Sequence, residues 1–201
     1  MILKNFIVFE GIDGAGTSTQ IKRLVDSNPE KFFATAEPTT GETGKFLRRM
    51  LGGEFHVDEK TNAYLFAADR CEHIYGADGV IEKINSGKTV VSDRYFFSSM
   101  CYQSISCGEE LPKLLNSHFP LPEILFFFDI NPEISLARVN ARNEKKEIYE
   151  KLDLQKRIAA QYEKIISEYE KMSDCGMRII RINAALGMDE ITEIIKSELS
   201  K

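Results

Sequence analysis

The chain has 201 residues, enough to bury a substantial core in one domain, and its 43% hydrophobic and 28% charged residues exclude a disordered chain. Acidic residues outnumber basic ones 31 to 26, and with no basic spot denser than Arg48-Arg49 or Lys145-Lys146 the balance argues against a nucleic-acid partner. Cys71, Cys101, Cys107 and Cys175 lack metal-ligand spacing, no apolar run is as long as a membrane span, and no signal-peptide pattern opens the chain, so a cytoplasmic protein with no membrane partner is expected.

A first strand over 5–9 runs into Gly11-Ile-Asp-Gly-Ala-Gly-Thr-Ser18, and a helix is expected from Ser18 to about 26. Strand, glycine-rich turn and helix start form the context of a phosphate-binding loop. Successive backbone N–H groups make a nest, and the helix start adds its positive dipole end. Gly11, Gly14, Ala15, Gly16, Thr17, Ser18 and Thr19 are therefore candidate phosphate contacts, and the Ser18 hydroxyl is a candidate Mg²⁺ ligand. The consensus G-x-x-x-x-G-K-[ST] places lysine where this chain has Thr17. A hydroxyl there donates a hydrogen bond but supplies no cation.

Further strands are expected at 32–36, 89–92, 124–129 and 177–182, and helices at 43–52, 59–85, 95–106, 132–142, 147–173 and 188–199. Strands apolar throughout, such as Ile124-Leu-Phe-Phe-Phe128, are buried on both faces. The expectation is an α/β fold, a five-stranded parallel sheet with helices on both faces and ligands at the strands' C-terminal ends. In the long helix, Leu154, Ile158, Tyr162, Ile165, Tyr169 and Met172 make a core stripe. The polar run from Arg142 to Glu147 interrupts two helices and marks a candidate lid at about 141–150.

Two further stretches carry chemistry. Asp93 ends a buried strand, where its carboxylate suits Mg²⁺ or its water, and Arg94 follows with a fork suited to phosphate; a strand-end salt bridge is the structural alternative. On the helix over 59–85, Phe66, Arg70 and His73 share one face. Phe66 can stack on a flat polar ring while Arg70 bonds its edge, the alternative being an ordinary cation–π pair. No spaced partner makes His73 a metal ligand, so it reads as structural.

In order along the chain, Phe9-Glu-Gly-Ile-Asp-Gly-Ala-Gly16, Glu37-Pro38, Leu65-Phe-Ala-Ala-Asp-Arg70, Asp93-Arg-Tyr95, Ser98-Ser99 and Tyr102-Gln103 together resemble the thymidylate kinases. The resemblance runs from Phe6 to about Ala184. It implies a P-loop kinase fold in a single domain, homodimers, and transfer of the γ-phosphoryl group of ATP to dTMP with Mg²⁺. It also implies an acceptor pocket of Asp13, Glu37, Arg48, Phe66, Arg70, Arg94, Ser98, Ser99, Tyr102 and Gln103. Asp13 approaches the sugar and phosphate, Phe66 and Arg70 take the thymine, Arg48 and Arg94 take the phosphate, and Tyr102 crowds the 2′ position. The implied catalytic set is Asp13, Ser18, Arg94 and the lid's Arg142, with Ser18 and Asp93 on the metal.

The departures from the family pattern concentrate on the donor side. Lysine is usual at Thr17, arginine at Ala36, glycines at Thr39 and Thr40, arginine at Ile148 of Ile148-Tyr149-Glu150, and aspartate at Asn183. Lys145, Lys146 or Arg142 is expected to restore part of the missing charge. The competing reading is a phosphotransfer-impaired nucleotide-binding homologue, with a deoxynucleoside kinase behind it. The absence of an Asn-Lys-x-Asp motif argues against a GTPase.

Overall fold

A computed structural model describes residues 1–141, 152–172 and 176–201. The lid segment, with Arg142, Lys145, Lys146 and Ile148-Tyr149-Glu150, lies almost wholly outside the described residues, as does Cys175.

The chain order is β1 (Ile2–Gly11), α1 (Thr17–Ser27), β2 (Phe32–Ala36), α2 (Glu42–Leu51), α3 (Glu59–Tyr75), α4 (Val80–Asn85), β3 (Thr89–Asp93), α5 (Phe96–Cys107), α6 (Glu110–Asn116), β4 (Leu121–Asp129), α7 (Pro132–Ala141), α8 (Leu152–Glu170), β5 (Arg178–Asn183) and α9 (Met188–Leu199). The five strands form one sheet in the order β2-β3-β1-β4-β5, and every pairing is parallel. β1 therefore lies at the centre, where Phe6, Val8 and Phe9 have no exposed surface, flanked by the equally buried Val90, Val91, Leu125 and Phe126. This explains the unalternating apolar runs, since each face of these strands is covered by helices.

The single crossover from β1 out to β2 carries α1, which packs on α9; α5 packs on α3 and α8. Right-handed crossovers in the two directions place these groups on opposite faces. The order also reverses between β1→β2 and β3→β4, so the switch point falls at the C-terminal ends of β1 and β3, where Gly11 to Asp13 and Asp93-Arg94 emerge.

Some expectations are corrected. The segment 59–85 is two helices, α3 and α4, separated by Gly76 and Gly79; a Cβ on Gly79 would lie 2.7 Å from the Gly76 carbonyl oxygen. Helix α6 was not foreseen, because its seven residues show no helical period. β1 begins three residues earlier than expected and pairs Ile2 with Leu121 before a register shift. In the long helix Ile158, Tyr162 and Ile165 are buried and Leu154 and Tyr169 pack against them, but Met172 lies beyond the helix end and is 54% exposed.

A second, smaller apolar cluster lies apart from the main core. Leu47, Met50 and Leu51 of α2 pack with Phe55, Val57, Leu65 and Phe66. Asp69 fastens the loop before α2 by accepting hydrogen bonds from the Thr39 N–H (2.8 Å), the Thr39 hydroxyl (2.6 Å) and the Thr43 hydroxyl (2.7 Å). Gly44 is required beneath this loop, for its Cβ would lie 2.0 Å from the Thr39 carbonyl oxygen.

Candidate functional site

The glycine-rich turn needs its glycines. Gly14 has φ +84°, and a Cβ there would meet the Ser135 carbonyl oxygen at 2.6 Å; Gly16, with φ +97°, leads into α1 as its N-cap. No side chain caps α1, so its first N–H groups, beginning at Thr17, stay available to an outside acceptor. Asp13 is held in this turn by the Ser135 hydroxyl, which donates to its carbonyl oxygen.

The C-terminal end of β3 meets this turn. Ser18 donates a hydrogen bond to Asp93 Oδ2, so a hydroxyl and a carboxylate converge beside the uncapped helix end. Both are hard oxygen donors of the kind Mg²⁺ takes. Among the described residues no group of three or more His, Cys, Asp or Glu side chains converges as an all-protein metal cage. Magnesium beside phosphates does not need one, because phosphate oxygens and waters complete its shell.

Arg94 has left-handed backbone, φ +73°, fixed by its N–H to the Phe9 carbonyl oxygen (2.9 Å). That turn sends its guanidinium between Asp13, with which it forms an ion pair, and the hydroxyls of Ser98 (3.0 Å), Tyr102 (3.4 Å) and Tyr162 (3.5 Å). Burial opposes its charge, but Tyr102, Asp13, Tyr162 and Glu10 together outweigh that and hold its pKa above the ordinary arginine range.

Behind Arg94 lies Glu10, fully buried in the central strand. Its carboxylate accepts from the Tyr95 N–H (2.8 Å), the Ser98 N–H (3.1 Å), the Ser98 hydroxyl (2.7 Å) and the Tyr162 hydroxyl (2.7 Å). Burial pushes its pKa up to about 7 from 4.5, although Arg94 and these donors pull the other way. The folded chain thus binds this proton more tightly than the unfolded chain. The resulting stabilisation is complete below about pH 4.5 and is lost as pH rises through about 7. Urea titrations at pH 5 and pH 8 are expected to show the wild type losing about 2 kcal/mol more than Glu10→Gln across that window. Parallel pH dependence in the two proteins would contradict it.

A second buried network lies along α3. Arg70, 1% exposed, donates to Glu37 from Nε (3.0 Å) and Nη2 (2.6 Å), to Ser99 from Nη2 (2.9 Å), and to Asn116 from Nη1. Its guanidinium lies over Tyr95 and Phe119, 5.5 and 5.6 Å from the ring centroids. The cation–π partners are these two rings, and Phe66 instead belongs to the satellite cluster of α2. Among the described residues, partners engage four of the five N–H groups of Arg70, which leaves one on Nη1 open to a ligand. His73 bridges Glu37 (2.9 Å) and Thr35 (2.8 Å), as a structural histidine does.

All ten residues expected to form an acceptor pocket line one cavity of about 210 Å³: Asp13, Glu37, Arg48, Phe66, Arg70, Arg94, Ser98, Ser99, Tyr102 and Gln103. They come from the β1–α1 turn, the β2–α2 loop, α2, α3, the β3–α5 turn and α5. Arg48 donates to the Pro38 carbonyl oxygen, and the buried Gln103 Oε1 has no hydrogen-bond partner among the described residues. A broader groove of about 1110 Å³ follows the free edge of β2 and includes Ser18. The two cavities share Ala36 and Asp93.

The family model described as "Thymidylate kinase" matches residues 9–193, most of the chain. The chain belongs to the thymidylate kinase family. It is 39% identical over 201 residues to the "Putative thymidylate kinase" of Treponema pallidum, covering 98% of this chain and 96% of that protein. It is likewise 39% identical over 197 residues to the "Thymidylate kinase" of Leptospira borgpetersenii, covering 94% and 89%. The "Probable thymidylate kinase" of Methanococcus vannielii is 40% identical over 164 residues, covering 81% and 78%. As a member of the thymidylate kinase family the chain is a nucleoside monophosphate kinase, and the five-stranded parallel sheet is the architecture that assignment requires. No helix among its described residues is long and apolar enough to cross a membrane.

Sequence reasoning missed several residues that surround this cavity. Glu10 had a visible signal, a carboxylate directly after the apolar run Phe6 to Phe9. Tyr162 read as core, and its ring is core, but its hydroxyl reaches Glu10 and Ser98. Asn116 gave no signal, since it lies on α6.

Proposed function

We propose that this chain transfers the γ-phosphoryl group of ATP to dTMP, giving dTDP and ADP, within a single domain. The observation that carries the reading is the acceptor cavity. Ten residues from six segments meet there, next to an uncapped helix end and the converging Ser18 and Asp93 oxygens. A merely structural glycine-rich turn accounts for none of these.

In this reading the backbone N–H groups from Gly11 to Thr19 hold the donor phosphates, and Phe66, Arg70, Gln103 and Ser99 hold the thymine. The Gln103 oxygen, without a hydrogen-bond partner among the described residues, suits a ring N–H, and Tyr102 on the same cavity wall is the proposed barrier to a ribose 2′-hydroxyl. Arg48 and Arg94 meet the acceptor phosphate. A phosphate on Arg94 competes with Asp13 for the guanidinium, and that exchange leaves the Asp13 carboxylate beside the reacting groups. Magnesium, held by Ser18 and Asp93, would supply charge neutralisation at the donor phosphates. Catalysis of this kind is positioning plus electrostatics, which is why the missing lysine at Thr17 matters. The lid's Arg142, Lys145 and Lys146, outside the described residues, are the proposed replacements.

A homodimer and a cytoplasmic location complete the proposal. The dimer is supported by an exposed α3 face on which Tyr64, Ala68, Cys71 and Tyr75 fall at helical spacing. The binding-module reading is the weaker one: a chain released from phosphoryl transfer has no need to keep Ser18, Asp93 and the complete acceptor cavity together.

The test is a coupled assay with ATP, Mg²⁺ and a panel of nucleoside monophosphates, run on wild type and Thr17→Lys. ADP formation with dTMP is expected, with dTMP preferred. The lysine variant is expected to turn over about tenfold faster, a fraction of the 10²- to 10³-fold a single missing contact can cost. No ADP with dTMP would sink the kinase reading. No gain in Thr17→Lys would show that another cation already does the lysine's work.

A further inference from the structure

Glu10 does not line the acceptor cavity, yet it touches most of what fixes the cavity's phosphate end. Helix α5 supplies Ser98, Ser99, Tyr102 and Gln103 to the cavity, but its N-cap residue, Tyr95, offers no side-chain cap. Glu10 Oε1 provides that cap from another element by accepting the Tyr95 and Ser98 N–H groups. Its Oε2 accepts from both the Ser98 and the Tyr162 hydroxyls, which lie 2.8 Å from each other. These are two of the three hydroxyls within reach of Arg94.

We propose that Glu10 is the positioning residue of the acceptor site, fixing the aim of Arg94 through the Ser98 and Tyr162 hydroxyls and through the start of α5. The physical basis is proton direction. Each hydroxyl has one hydrogen and two lone pairs. A carboxylate is acceptor-only, so it draws both hydrogens toward itself and turns the lone pairs to the guanidinium. An amide at the same place donates N–H to a hydroxyl and turns that hydroxyl's hydrogen toward a cation. The arginine then loses an acceptor and its fixed direction. The proposal rests on the reading that Arg94 meets the acceptor phosphate.

The test is steady-state kinetics at pH 8 on wild type, Glu10→Gln, Arg94→Lys and the double variant, with thermal melts alongside. Glu10→Gln is expected to raise KM for dTMP and lower kcat/KM for dTMP by about 10- to 30-fold, with KM for ATP within twofold. The double variant should be no worse than Arg94→Lys within about threefold, because both changes act on one guanidinium. A lower melting temperature with wild-type dTMP kinetics would make Glu10 merely structural and overturn the proposal. Multiplicative losses in the double variant would do the same. Should Arg94→Lys alone leave the dTMP parameters unchanged, it is the placement of Arg94 that fails. If Glu10→Gln does not fold, Tyr162→Phe removes one of the two hydroxyls. It should raise KM for dTMP about three- to tenfold, and an unchanged KM would refute the proposal.

Discussion

Arg94→Ala is expected to lower kcat/KM for dTMP by about 10³-fold, and Arg94→Lys by about 10²-fold, with KM for ATP little changed in either. The difference reflects geometry. Lysine keeps the positive charge but loses the planar fork that engages Asp13 on one side and the Ser98, Tyr102 and Tyr162 hydroxyls on the other. The left-handed backbone at this position already exists with an L side chain, so neither replacement adds a new backbone penalty. Circular dichroism should therefore report a folded protein in both cases. Single-turnover rates with saturating ATP would separate weak dTMP binding from slow transfer. A loss of less than about fivefold for the alanine variant would remove Arg94 from the acceptor site.

Arg70→Met is expected to be the most damaging single change to stability, costing about 3–5 kcal/mol. Arg70 and Glu37 are almost fully buried, with side chains 1% and 3% exposed. Removing the guanidinium leaves the Glu37 carboxylate with His73 alone among the described residues and strands the Asn116 and Ser99 oxygens. For a chain of this length the melting temperature should fall by about 10 °C or more. Neutralising the survivor tests the cause. Glu37→Gln combined with Arg70→Met should recover part of the loss, since no unpaired charge then remains buried. Equal or greater damage in the double variant would mean that packing against Tyr95 and Phe119, not charge, dominates.

The sheet was legible in the sequence because its central strands are buried on both faces, and Ile124 to Phe128 is a short apolar run rich in β-favouring residues. The ten residues expected to form an acceptor pocket stand in short ordered motifs, and they meet in one cavity. What the sequence withheld was partnership. Helical spacing placed Phe66, Arg70 and His73 on one face, but nothing in the spacing told that Arg70 would turn to Glu37, Ser99 and Asn116. Periodicity identified Tyr162 as core and was silent about its hydroxyl, which lies 152 residues from Glu10 along the chain and 2.7 Å away in space. The division of 59–85 at Gly76 and Gly79 was readable from the glycines alone, and the strong helical pattern on either side masked it.

The helix that carries Arg48 is seated on its own small apolar cluster, not on the main core. Its attachment includes the packing of Leu47, Met50 and Leu51 with Phe55, Val57, Leu65 and Phe66, the three hydrogen bonds to Asp69, and the Arg48 bond to the Pro38 carbonyl oxygen. Opening that leaf exposes little surface compared with unfolding the sheet, so it belongs to the low end of the protein's ladder of local openings. Local opening there is expected to leave β1, β3 and β4 intact, which faster amide hydrogen exchange in α2 than in those strands would show. One wall of the cavity is thereby separated from the energetic foundation of the fold. Truncating Val57 or Phe55 is expected to loosen the cavity wall that carries Arg48 and Phe66 while leaving the sheet intact.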